Sequence, residues 1–170
     1  MNTDAEKAFD RVSWRFLEEV LRQVGVGEQM VRWIMSMYTG PRASVRVNGV
    51  ISPPFKITNG TRQGCPLSPP LFALTLEPLL IRIRQNVDIQ GIQMGDQIHK
   101  VAAYADDLLF SVTNPHVSLP NLVREIEKYG RISNLKINTK SEAMKVAIPG
   151  PMGDTIKQNF RFKWGKVLNI

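Results

Sequence analysis

The sequence predicts an α+β fold, a sheet with helices packed mainly on one face, and three observations predict it. Apolar residues recur at helical spacing in some stretches and at every second position in others, interleaved along one chain. No doubly wound glycine fingerprint opens a helical stretch, which argues against a parallel dinucleotide-binding sheet. The chain has 170 residues, 43% hydrophobic and 22% charged, enough to bury one core and too ordinary for disorder or a disulfide scaffold.

The elements follow in order. Val12, Phe16, Val20 and Val24, flanked by Leu17 and Leu21, form a helical stripe that Ser13 can cap and Gly25 can end. Met30 to Tyr38 predicts a second, strongly apolar helix closed by Gly40-Pro41. The period then changes to two: Val45 and Val47 alternate with Ser44 and Arg46, Asn48-Gly49 signals a tight turn, and Phe55 and Ile57 continue on a returning strand. Ser68-Pro69-Pro70 starts a helix through Leu71, Leu74, Leu79 and Ile83, kinked by Pro78. Residues 91–113 predict strands around turns at Gly95-Asp96 and at Ala105-Asp106-Asp107. A helix from Ser118 to Gly130 buries Leu119, Leu122, Val123, Ile126 and Tyr129, and short strands near Lys145–Ile148 and Phe160–Trp164 finish the chain.

Composition narrows the function classes. No run approaches the roughly 18 apolar residues of a membrane span, and the N-terminus is acidic where a secretory signal would be basic and then apolar. The expectation is a chain neither inserted in a membrane nor secreted. A single cysteine, Cys65, cannot form an internal bridge or a zinc site and reads as a small packed residue. The net charge is +7, and residues 121–170 carry 10 basic against 4 acidic side chains. That surplus attracts polyanions, although solubility explains it equally well.

The chemistry concentrates in three segments. Asp106 and Asp107 lie between two apolar stretches, and unit charges about 4 Å apart repel by roughly 4 kcal/mol at an effective dielectric of 20. A divalent cation would convert that penalty into affinity, and carboxylate oxygens suit magnesium; a solvated Asp-Asp turn also accounts for the segment. Asp4, in Asp4-Ala5-Glu6-Lys7-Ala8-Phe9-Asp10, offers a further carboxylate, and Asp10 is better explained by the acidic preference of a helix start. Spacing alone does not bring Asp4 to Asp106. The third segment, Asn59 to Pro69, holds glycines that permit close backbone approach, Arg62 as a phosphate fork and Gln63 as donor and acceptor.

Taken together, these segments resemble the motifs of a reverse transcriptase palm of the non-LTR, LINE-type retrotransposon family. Residues 4–10 resemble motif A, Thr61-Arg62-Gln63-Gly64-Cys65-Pro66-Leu67-Ser68-Pro69 motif B, Tyr104-Ala105-Asp106-Asp107 motif C, and Leu135-Lys136-Ile137-Asn138-Thr139-Lys140-Ser141-Glu142 motif D. The resemblance implies a ferredoxin/RRM-like antiparallel palm over residues 1–148, with residues 149–170 leading towards a primer grip and thumb. It implies an RNA-directed DNA polymerase acting on RNA template, DNA primer and dNTP, with two Mg2+ ions for which Mn2+ can substitute. Asp4 and Asp106 would hold both ions, the Ala5 carbonyl would add a ligand, and Asp107 would complete the acidic turn. Phe9 would stack under the incoming sugar and exclude a 2′-hydroxyl. Gln63 and Gly64 would line the nucleotide and template side, Arg62 would meet phosphate, and Tyr104 would support the turn against the primer. Lys140 would protonate the pyrophosphate leaving group, where a solvated charge fits the residue as well.

Two departures from the family pattern stand out. Asn134 occupies a position usually held by glycine, a modest change because asparagine tolerates left-handed backbone. Only three residues precede Asp4, so the motif A strand is expected to be short, its register open, and the palm incomplete at both ends without fingers, thumb or endonuclease. Such a chain is expected to be inactive or weak alone. The alternatives are a non-catalytic remnant that binds nucleic acid weakly through residues 124–166, and an intron-encoded maturase, which the motif B sequence disfavours.

Overall fold

The computed structural model describes the backbone of residues 2–4, 7–136, 142–143 and 163–164, and the side chains of residues 7–136. The chain divides into two compact units: residues 7–75 form one, and residues 1–6 with 76–170 form the other. The architecture is α+β.

In the unit of residues 7–75, a short helix α1 (Ala8–Arg11) leads to α2 (Trp14–Gln23). Ser13 caps α2 as expected, its hydroxyl accepting a hydrogen bond from the Phe16 amide at 3.4 Å. Leu17, Val20 and Leu21 are buried at helical spacing, whereas Val24 lies past the last turn and is half exposed. Helix α3 (Glu28–Ser36) buries only Val31 and Ile34; Met30, Trp33 and Met37 stay about half exposed, so the expected apolar helix shows water much of its apolar surface.

Two short ladders follow. Asn48-Gly49 forms the expected tight turn, both residues at positive φ (49° and 84°), joining β3 (Arg46–Val47) to β4 (Val50–Ile51). The returning strand is therefore β4. Phe55 belongs instead to β5 (Phe55–Lys56), which pairs antiparallel with β2 (Arg42–Ala43). Pro53-Pro54 explains the change of partner, because neither residue has an amide to donate to a continuing ladder. Helix α4 (Ser68–Gln85) runs through Pro78 as one element, and the division between the units falls within it.

The other unit holds a five-stranded sheet of order β11-β10-β1-β9-β8. Its members are β1 (Asn2–Asp4), β8 (Val101–Tyr104), β9 (Asp107–Phe110), β10 (Glu142–Ala143) and β11 (Lys163–Trp164). Neighbours pair antiparallel except β10 with β11, which are parallel. A separate hairpin, β6 (Ile92–Met94) and β7 (Gln97–His99), turns at Gly95-Asp96 as the sequence predicts. Helix α5 (Pro115–Ser133) is longer than the expected 118–130 at both ends: Pro115 sits in its first turn, where a missing amide costs nothing. Its buried residues include Leu119, Leu122 and Tyr129 but also Ser118, Glu125 and Ser133. The helix ends at Asn134 in the left-handed conformation (φ 64°, ψ 6°), the geometry that lets asparagine stand where glycine is usual. The strand expected near Lys145–Ile148 lies outside the described residues, and that near Phe160–Trp164 is described only as β11.

Candidate active site

The acidic turn begins with a hairpin. Strands β8 and β9 pair Tyr104 with Asp107, leaving Ala105 and Asp106 as a two-residue turn, so Asp107 is the first strand residue rather than part of the turn. Ala105 adopts a φ of 50°, the positive value that primed hairpin turns require at their first central position. Along β9, Leu108 and Phe110 are buried while Asp107 and Leu109 are exposed. The apolar alternation thus anchors the strand by one face and presents Asp107 on the other.

Strand β1 supplies the distant carboxylate. Its register against β9 pairs Asn2 with Leu109, Thr3 with Leu108 and Asp4 with Asp107. Directly opposed residues on antiparallel strands lie about 4.5–5.5 Å apart at Cα and share a face of the sheet. Three residues hold β1 in register because it is an interior strand, bounded by β9 on one side and β10, through Asn2 and Glu142, on the other. Asp4, Asp107 and the adjacent Asp106 therefore converge at the backbone level, and Tyr104, 85% exposed, stands beside them. Like charges opposed across strands are destabilising, and among the described residues neither Asp106 nor Asp107 has an ion-pair partner. An all-oxygen set of this kind fits a hard divalent cation. Among the described side chains, which do not include that of Asp4, no three His, Cys, Asp or Glu residues come together.

The unit of residues 7–75 ties the start of α1 to the glycine-rich loop. The Thr61 amide donates to the Phe9 carbonyl at 2.6 Å, and the Gly60 amide donates to the Val12 carbonyl at 2.8 Å. The Trp14 indole donates to the Gly60 carbonyl at 2.7 Å. Gly60 has a φ of 94°, and a Cβ there would lie 2.7 Å from the Asp10 carbonyl oxygen, so only glycine fits. The half-buried Phe9 ring packs on Phe72 with centroids 5.0 Å apart, which fixes its position on α4. Beyond Thr61 the loop folds as consecutive turns: the Arg62 carbonyl accepts from the Cys65 amide at 3.2 Å and from the buried Ser68 hydroxyl at 2.7 Å. Gly64 takes a φ of 81° in that loop, while the Arg62 and Gln63 side chains are exposed. Cys65 is only half buried; a hydrogen bond from the Leu67 backbone, with Ser68 and Arg62 adding to it, holds its thiol below the ordinary pKa against a smaller opposing effect of burial.

Arg62, Gln63 and Asp10 line a cavity of about 940 Å³ whose wall also includes Trp14, Tyr38, Arg42 and Lys56. Sequence reasoning did not single out these last four residues. A tryptophan one position after a helix cap was the available signal, because an indole N–H in a part-buried place needs a partner, here Gly60. Ala5 and Lys140 fall outside the described residues.

The model of the family "Reverse transcriptase (RNA-dependent DNA polymerase)" matches residues 1–162. The chain belongs to the reverse transcriptase family. Among its curated relatives, "Transposon TX1 uncharacterized 149 kDa protein" of Xenopus laevis is 33% identical over 138 residues, which cover 81% of this chain and 10% of the relative. "Retrovirus-related Pol polyprotein from type-2 retrotransposable element R2DM" of Drosophila melanogaster is 33% identical over 150 residues, 88% of this chain and 14% of the relative. "Retrovirus-related Pol polyprotein from type-1 retrotransposable element R2" of Popillia japonica is 32% identical over 152 residues, 88% and 21% respectively. These relatives set the chain among the non-LTR retrotransposon reverse transcriptases, as its motifs suggested. This reverse transcriptase sequence thus spans at most about a fifth of the length of those relatives. Among the described residues no helix is long and apolar enough to cross a membrane.

Proposed function

We propose that this chain is the palm of an enzyme of RNA-directed DNA synthesis, inactive or weak alone, with residues 1–148 as a ferredoxin/RRM-like palm and residues 149–170 leading out of it. The 3′-hydroxyl of a DNA primer attacks the α-phosphate of a dNTP selected by an RNA template. A new phosphodiester bond forms as the α–β bond breaks, and pyrophosphate leaves. The observation that carries this reading is the pairing of Asp4 with Asp107 beside the Ala105-Asp106 turn.

Asp4 and Asp106 are the ligands proposed for two Mg2+ ions, or Mn2+ in their place, with the Ala5 carbonyl and Asp107 completing the set. Bound there, the ions supply Lewis acidity at the transferred phosphate and lower the pKa of the attacking hydroxyl. Phe9, braced by Phe72, excludes a sugar 2′-hydroxyl. Gln63 and Gly64 line the nucleotide and template side, Arg62 meets phosphate, and Tyr104 bears on the primer. Lys140 gives its proton to the departing pyrophosphate.

Primer extension on an RNA template with Mg2+, comparing the wild-type chain with Asp106→Asn, tests this. Loss of a metal ligand removes several kcal/mol of charge stabilisation, so extension should fall by at least about a hundredfold, while relief of the carboxylate repulsion leaves the thermal midpoint equal or higher. Equal extension by both proteins removes catalysis from the account and leaves a nucleic-acid-binding remnant.

A further inference from the structure

The strand that leads into the acidic turn has little to hold it. β8 stands at the edge of its sheet, with β9 as its only strand neighbour among the described residues. None of its side chains is fully buried: Val101 is half buried, and Ala102, Ala103 and Tyr104 are exposed. β9, by contrast, is paired on both sides and sinks Leu108 and Phe110 into the core. A strand with few buried apolar contacts opens before the rest of a fold does. The Ala105-Asp106 turn joins the two strands, so freedom in β8 becomes freedom at the turn and at Tyr104.

Lys100, immediately before β8, supplies an anchor. Its ammonium donates to the Asn86 carbonyl at 2.7 Å and to the Arg84 carbonyl at 3.0 Å, at the end of α4. The last carbonyls of a helix have no partner within it and carry the negative end of its dipole, so a lysine there gains hydrogen bonds and charge attraction together. The Lys100 carbonyl accepts from the Ser111 amide at 2.9 Å, which extends the β8–β9 ladder to its root. The segment after α4 closes around the lysine stem: a Cβ on Gly91 would lie 2.7 Å from Lys100 Cγ and 2.5 Å from the His99 carbonyl oxygen. Gly91 is itself held by the Thr113 hydroxyl, which donates to its carbonyl at 3.2 Å. All of these residues belong to one compact unit. Two of the three donors of the ammonium go to backbone oxygens, which marks it as a brace within the fold.

We propose that Lys100 is a positioning residue for DNA synthesis: by tying the root of β8 to the end of α4, it holds the Ala105-Asp106 turn and Tyr104 in place on the sheet. The link to synthesis rests on the polymerase reading of that turn; the tie itself does not. Misplacement of reacting groups by about 1 Å is enough to cost a hundredfold in rate, so a brace acts on the chemistry without touching substrate.

The test compares the full wild-type chain with Lys100→Met, which keeps an apolar stem and loses the donors, and with Lys100→Arg, whose guanidinium has donors for both carbonyls. Amide hydrogen exchange read by NMR reports the anchor without any need for turnover. In Lys100→Met, exchange of the amides that bond β8 to β9 should quicken at least about tenfold while the buried turns of α5 stay protected, because only a local opening has become easier. Mn2+ binding, followed through the EPR signal of the free ion, should weaken about tenfold in the same variant, the lower end of what losing a supporting contact costs a metal site. Lys100→Arg should recover both. Unchanged ladder exchange in Lys100→Met overturns the proposal, and so does faster exchange spread equally through α5, which marks an ordinary loss of stability. Full Mn2+ affinity with the ladder opened overturns it as well. A wild-type chain that binds Mn2+ no better than Asp106→Asn removes the metal reading of the turn, and the exchange comparison still decides the anchor.

Discussion

Gly60 and Ala105 both hold positive φ next to the chemistry, but for different reasons. At Gly60 a side chain has no space: the Asp10 backbone lies within 3 Å of where a Cβ would be. Gly49, at a similar φ of 84°, has nothing within 4 Å. Gly60→Ala should therefore cost about 3 kcal/mol or more in urea unfolding, and Gly49→Ala only about 1 kcal/mol, since it carries backbone strain without a collision. Ala105 already bears a Cβ at φ 50°. Replacing it with glycine should stabilise the fold by about 1 kcal/mol, read as a raised denaturant midpoint. The glycines of the loop at residues 59–69 signalled a close approach somewhere along it, and the residue type of Asn134 signalled left-handed tolerance. Neither the partner of Gly60 nor the strain at Ala105 was legible, because both depend on where another part of the backbone lies.

At the scale of elements, amphipathic helices and tight turns were the easiest features to read. Ser13, Asn48-Gly49 and Gly95-Asp96 act through neighbours only a few residues away, so local sequence contains both partners. Helix α5 shows the limit. Glu125 is buried along with Leu122 and Tyr129 of that helix, paired with Arg82 of α4 at 2.8 Å and with Lys128 at 3.4 Å. Burial pushes its carboxyl upward, and the hydrogen bond and charge of Arg82, then those of Lys128, outweigh this and leave the pKa below its usual 4.5. A folded pKa below the unfolded one means stability that is present above about pH 4.5 and lost as pH falls through the lowered folded value. Glu125→Gln should remove that acid-side loss, at a cost of about 1–2 kcal/mol at neutral pH. The cost is modest because Arg82 is half exposed and water can take over its charge. Unfolding curves at pH 7 and pH 3.5 for both proteins check this: the difference between them should narrow in acid.

For the molecule as a whole, the residue types of the site, their order and the α+β class could all be read from the sequence of amino acids. Hydrophobic period reports which face of an element is buried, and carboxylates between apolar runs report where charge is concentrated; both are properties of short stretches. Strand partners are not. Pro53-Pro54 signals that the hairpin stops before Phe55, but nothing near Phe55 indicated that Ala43 would be its partner, and a three-residue strand has too little pattern to choose a register. Tertiary structure decided that Asp4 faces Asp107, that β1 is interior to its sheet, and that Arg42 stands against Lys56. The physical reason is common to all three: these are pairings between strands separated in sequence, set by backbone hydrogen bonds that every residue except proline can make, so side-chain identity alone carries little information about them.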